Sequence, residues 1–302
     1  MKTIHKGICM ITINNLEVKY GNFTALTVKQ PLSIESDDKI GIIGSNGAGK
    51  TTLLKALLGL VKYDGSITSE LRPQEIAAHM QENNYVNTMP VKYIIQMILN
   101  TTIEKNEKLK NLISFFEFES CLKKKFNNLS GGQKQRLTII MVLMQESPLT
   151  FFDEVSSGLD FETRQKLMGK IAEWYREKKS AICVVSHYYD ELEALVDKLM
   201  IIEKGHIVAF GKTEDLFAYY CGNSIMIIDN NEKNIELTED VPQIEAPSHL
   251  LAFPCKDAAY ESTLADWFSQ HNVNYKRSND DIEIIFVNAV NRFNDGGETY
   301  AI

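Results

Sequence analysis

The octapeptide Gly44-Ser45-Asn46-Gly47-Ala48-Gly49-Lys50-Thr51 fits GxxxxGK[ST], and it sits between an isoleucine-rich run, Lys39 to Ile43, and a helical pattern, Lys50 to Leu58. Glycines let successive backbone N–H groups curl round an anion at a helix N-terminus, where unpaired amides and the helix dipole both favour phosphate. Lys50 is then set to reach β- and γ-phosphates, and the Thr51 hydroxyl to ligate Mg²⁺, with Thr52 beside them at the helix start. The implied ligand is a nucleoside triphosphate with its divalent cation.

A second motif, Leu149-Thr150-Phe151-Phe152-Asp153-Glu154, is an apolar strand ending in two carboxylates. At the C-terminal edge of a parallel sheet such groups point into the ligand crevice. Asp153 can hold Mg²⁺ through water. Glu154, on the other side of the strand end, can orient and activate the attacking water as a general base.

The third motif, Leu129-Ser130-Gly131-Gly132-Gln133-Lys134-Gln135-Arg136, opens another helix and supplies a second anion-binding terminus, although one phosphate already has its loop. With LSGGQ beside a phosphate loop, the chain resembles the ABC ATPases from Leu16 to about Gly211. That resemblance implies that Ser130, Gly131, Gly132 and Gln133 act on the ATP held by a partner subunit, so that two chains stacked head to tail enclose two nucleotides. It further implies that Tyr20 stacks on adenine and that Gln81 joins Mg²⁺ with Thr51 and Asp153 while sensing a membrane partner. Asp160 would cross the dimer interface, and His187 would contact the γ-phosphate and steady the transition state with Glu154. The sequence departs from the family in Val155, where proline is usual, and Ser156, where threonine is common; neither side chain is used directly in the chemistry. The stretch from Gln81 to Ser130 is short for the family.

The elements that must position these groups follow from periodicity. Strands are expected at Ile11 to Tyr20, near Ile67, at Ile76 to Met80 and at Ala181 to Val185, with helices over Ser130 to Met144, Phe161 to Lys178 and Thr213 to Tyr220, and helical periodicity from Pro90 to Phe118. Strands alternating with helices predict a parallel sheet covered on both faces. The acidic, Asn-containing stretch Asp229 to Glu245 reads as a boundary, followed by strand Leu250 to Phe253, helix Ala258 to His271 and strand Asp281 to Val287. The expected fold class is α/β: a P-loop NTPase of the ABC nucleotide-binding type with a helical insertion at about 82–145, in a main domain 1–222, plus a small α+β accessory domain 223–302.

Composition bounds the remaining possibilities. A formal net charge of -8 does not favour general nucleic-acid binding, and five scattered cysteines without CxxC spacing favour neither a zinc site nor a disulfide framework. Neither a signal peptide nor an apolar run near the roughly 20 residues of a spanning helix is evident. The expectation is a cytoplasmic ATPase, peripheral on the inner face of the cell membrane through a separate permease, paired with a second ATPase subunit taken as another copy of this chain. The small tail suggests similarity to exporter ATPases of the drug and antimicrobial-peptide resistance kind. Importer motors share the core motifs, but their tails more often form small β-barrels. A soluble ABC ATPase of ribosomes or DNA fits less well, for want of a second nucleotide unit or a heptad arm.

Overall fold

The computed structural model describes residues 7–80, 85–297 and 299–301. The expected Mg²⁺ ligand and partner sensor Gln81 lies outside the described residues. The chain opens with β1 (Cys9–Tyr20), β2 (Phe23–Val28) and β3 (Leu32–Glu35), the last two flanking the first in antiparallel pairing. β4 (Lys39–Gly44) runs into the glycine loop and α1 (Lys50–Leu57); β5 (Asp64–Ser69) then pairs with β1, and β6 (Ile76–His79) takes the far edge of the sheet. A helical subdomain follows, with α2 (Val91–Leu99), α3 (Glu107–Phe115) and α4 (Gly131–Leu143).

The chain returns to the sheet through β7 (Leu149–Asp153), α5 (Phe161–Tyr175), β8 (Ala181–Val185), α6 (Tyr189–Glu193), β9 (Lys198–Glu203), β10 (His206–Lys212) and α7 (Thr213–Tyr220). The last part comprises β11 (Ser224–Asp229), α8 (Glu232–Leu237), β12 (Leu250–Cys255), α9 (Ala258–Gln270), β13 (Lys276–Ser278), α10 (Ile282–Asn294) and β14 (Tyr300–Ala301). The architecture is thus an α/β fold with a helical subdomain and a small α+β tail.

The main sheet has the order β3-β1-β2-β10-β9-β4-β8-β7-β6, and β7 and β8 are buried at every position. Strands β9, β4, β8, β7 and β6 run parallel, which brings the ends of β4, β7 and β8 to one edge. The expectation of a wholly parallel sheet is corrected on the other side. There, short turns join β1 to β2 and β9 to β10, and a tight turn can connect only antiparallel neighbours. Lys204 (φ 49) and Gly205 (φ 78) make the second turn with the two positive φ angles that a tight hairpin requires.

The expected strand Asp281 to Val287 is also corrected, because these residues begin α10. The run of β-branched residues suggested extension, yet Asp281 caps the helix by accepting from the Ile284 amide at 3.1 Å. Ile282, Ile285 and Ala289 then bury one face at helical spacing. That face packs on α7 and α6 of the main unit, with the Phe286 and Tyr189 rings 5.8 Å apart, and β14 pairs with β10. Strands β12, β11 and β13 form a separate antiparallel sheet under α9. Among the described residues no helix is long and apolar enough to cross a membrane.

Candidate nucleotide site

Strand β4 ends at Gly44, and the loop to α1 is held by backbone positions that side chains tolerate poorly. Gly47 has φ 78 and Gly49 φ 112, and a Cβ on Gly49 would lie 2.9 Å from the Ala25 carbonyl oxygen. Ala48 is buried and its amide donates to the Ser45 carbonyl at 3.1 Å, closing the loop into a cup. Asn46 and Gly47 remain exposed on its rim. Lys50 folds back over this cup, donating to the carbonyls of Gly44 (2.8 Å) and Ser45 (3.1 Å). Burial pushes its ammonium below the usual lysine range, opposed by the carboxylates of Glu154, Asp153 and Glu203.

Thr51 Oγ1 donates to Asp153 Oδ2 at 3.0 Å, joining the first turn of α1 to the end of β7. Asp153 is fully buried, its other carboxylate oxygen has no hydrogen-bond partner, and burial pushes its carboxyl up. A buried, acceptor-only oxygen beside a threonine hydroxyl is the donor set a hard divalent cation takes, so these residues fit Mg²⁺.

The next residue, Glu154, has φ 50, an uncommon conformation for a non-glycine residue, and this bend turns its side chain away from the strand. Its amide donates to the Val185 carbonyl at 3.0 Å, while its Oε1 lies 2.9 Å from His187 Nε2. Both side chains line a cavity of about 560 Å³ together with Asn46 to Thr52. Across this cavity stand Tyr20, 48% exposed, and Phe23, 67% exposed, the two residues that face each other across the β1–β2 turn. One cleft therefore gathers Tyr20, Asn46, Gly47, Ala48, Gly49, Lys50, Thr51, Thr52, Glu154 and His187, with Gly44, Ser45 and Asp153 hydrogen-bonded to its Lys50 and Thr51.

Ser130, Gly131, Gly132, Gln133 and Asp160 do not line it. Ser130 caps α4 reciprocally with Gln133: its hydroxyl accepts from the Gln133 amide at 3.3 Å, and Gln133 Oε1 accepts from the Ser130 amide at 3.2 Å. Ser130 and Gly131 are exposed, so the helix N-terminus faces outward. Asp160 caps α5 through the Thr163 amide at 3.0 Å, and a Cβ on Gly132 would come within 3.0 Å of Thr163 Cγ2. The two helix starts are therefore packed against one another.

Three participants were not legible beforehand. Phe23 doubles the aromatic surface at the cleft, and its place after the Tyr20-Gly21 turn was the available signal. Glu203, at the end of β9, accepts from Ser45 Oγ at 2.6 Å and braces the glycine loop. Glu191, on α6, lies beneath Glu154 and His187 in a buried polar network that no sequence spacing announces.

A sequence model described as "ABC transporter" matches residues 29–157. The tungstate uptake system ATP-binding protein TupC of Peptoclostridium acidaminophilum is 30% identical over 207 residues, covering 65% of this chain and 96% of that protein. The methionine import ATP-binding protein MetN of Clostridium tetani is 30% identical over 241 residues, covering 74% and 76%. Among solved structures, cbiO1 from Clostridium perfringens, part of the ABC transporter complex cbiONQ, superposes with a TM-score of 0.61 over 78% of this chain and 96% of that one. At 22% identity this last likeness is one of fold. The resemblance to exporter ATPases is corrected by these relatives, which are named for uptake and import. It rested on the tail, whose expected closing strand is the helix α10, whereas the nucleotide motifs do not distinguish the directions of transport.

Proposed function

This chain belongs to the ATP-binding proteins of ABC transporters, and from that premise we propose that it powers an uptake system through a separate membrane-spanning permease. It binds and hydrolyses ATP, with Mg²⁺ as cofactor. The import reading is supported by relatives named for tungstate uptake and for methionine and thiamine import. A solved relative described as a dimeric post-hydrolysis state supports pairing with a second ATPase subunit, here a second copy. Residues 1–222 would form the motor, with its helical part at about 82–145, and residues 223–302 an accessory unit. With the permease as its attachment, the motor would work at the inner face of the membrane.

Within the site, Lys50 and the amides of the glycine loop bind the β- and γ-phosphates, and Tyr20 stacks on the adenine. Thr51, Asp153 and Gln81 would hold Mg²⁺, which would neutralise phosphate charge. Glu154 takes the proton of the attacking water, and His187 holds that carboxylate and contacts the γ-phosphate. Ser130, Gly131, Gly132 and Gln133, facing outward, complete the site of the partner subunit, and Asp160 crosses between them. The observation that carries the catalytic reading is the 2.9 Å contact of Glu154 with His187 in the cleft that Lys50 enters.

Direction is tested by accumulation of labelled nutrients in cells lacking the chain. Import predicts lost accumulation of at least one nutrient, restored by the wild-type chain and not by Glu154→Gln. Normal accumulation together with new sensitivity to toxic compounds would reverse it.

A further inference from the structure

Behind Glu154 and His187 lies a carboxylate that touches neither. Glu191 is 4% exposed, and its Oε2 accepts two hydroxyl bonds, from Ser156 Oγ at 2.9 Å and from Ser186 Oγ at 2.7 Å. Ser156 follows Glu154 by two residues in the turn leading to Asp160; Ser186 immediately precedes His187. The Ser186 hydroxyl also accepts from the Tyr188 amide at 3.0 Å, so the backbone is tied on both sides of His187. Arg164 closes the arrangement from α5. Its guanidinium lies 3.6 Å from the centroid of the Tyr188 ring, and its Nε faces Glu191 Oε1 at 3.5 Å, both atoms being buried without a hydrogen bond.

Burying a carboxylate is costly unless it is paired and bonded, and here all of its partners belong to the two loops that carry the reacting groups or to the helix that follows Asp160. We infer that Glu191 is a positioning residue for ATP hydrolysis: through Ser156 and Ser186 it sets the separation of Glu154 and His187. The inference rests on the roles proposed above for that pair. Two loops at the ends of adjacent strands would otherwise move independently, and a misplacement of about 1 Å at a reacting group can cost about 100-fold in rate. Among the described residues no hydrogen bond joins Lys50 or the glycine loop to this network, so nucleotide binding is expected to be left alone.

The test measures steady-state hydrolysis, by release of labelled phosphate, across Glu191→Ala, Glu191→Gln, Ser156→Ala and Ser186→Ala, with thermal melts to confirm folding. Glu191→Ala is expected to lower kcat by about 10- to 100-fold with the KM for ATP within about twofold. Glu191→Gln keeps an oxygen able to accept both hydroxyls and should recover part of that loss. In a His187→Ala background, Glu191→Ala should cost no more than about threefold further, because residues acting as a unit are not additive. Wild-type turnover by Glu191→Ala, or an equal loss with His187 present and absent, overturns the inference. Should Glu191→Ala not fold, the two serine variants carry the same kcat and background comparisons. Glu154→Gln runs alongside: its full turnover would sink the underlying catalytic reading, whereas an inactive Glu154→Gln with active Glu191 variants sinks this inference alone.

Discussion

His187 Nε2 and Glu154 Oε1 meet at 2.9 Å although 33 residues separate them in the chain. They meet because β7 and β8 are adjacent parallel strands in register from Leu149 with Ala181 to Asp153 with Val185, so the residues just beyond their ends share one edge of the sheet.

Replacing Glu154 with Gln keeps the size of the side chain and removes the base. Turnover should fall at least about 100-fold, the lower range of a lost general base, while the phosphate loop still binds ATP. Gel filtration with ATP and Mg²⁺ should show an accumulated dimer; a turning-over monomer would contradict the assignment.

Lys50→Ala acts on binding. Hydrogen bonds to charged groups contribute about 1.5–3 kcal/mol each, so loss of the ammonium should weaken ATP affinity by at least about tenfold in a fluorescence titration with a nucleotide analogue. Unchanged affinity would argue against the loop as the phosphate site.

Ser130→Ala separates the two helix termini. Removing the cap of α4 should cost about 1 kcal/mol of stability, seen as a lowered melting temperature. The monomer should bind ATP as before, because Ser130 does not line the cleft, whereas ATP-driven dimerisation in the Glu154→Gln background should weaken. A loss of monomer affinity instead would place Ser130 at its own chain's nucleotide.

Alkaline pH should destabilise the fold. Burial pushes the Cys221 thiol from 9.0 to about 12, and that of Cys183, in the fully buried strand β8, higher still. The folded pKa is raised, so the contribution is intact below pH 9, where both states keep the proton. It is lost as pH rises towards the folded value, because only the unfolded chain ionises. Each thiol contributes a decline of up to about 1.4 kcal/mol per pH unit in that window. Denaturant titrations from pH 8 to 11 should show the decline, and Cys183→Ala should reduce its slope relative to wild type.

The sequence by itself singled out the glycine loop, Asp153 and Glu154 as candidates, because phosphate binding needs consecutive backbone amides and strand-end carboxylates, which are local and leave a signature in neighbouring residues. It also determined the core helices α1, α4 and α5 to within a few residues of their ends, through their helical periodicity; the caps at Ser130 and Asp160 emerged with the structure. It did not determine the antiparallel half of the sheet or helix α10, since a run such as Asp281-Ile-Glu-Ile-Ile fits an extended or a helical face equally well until a neighbour covers it. The resemblance had already set His187 with Glu154, but only the tertiary structure gave their 2.9 Å contact and brought Phe23 to the cleft and Glu191 beneath both loops. Those contacts depend on strand order and burial, which set distances between residues whose separation along the chain carries no information about them.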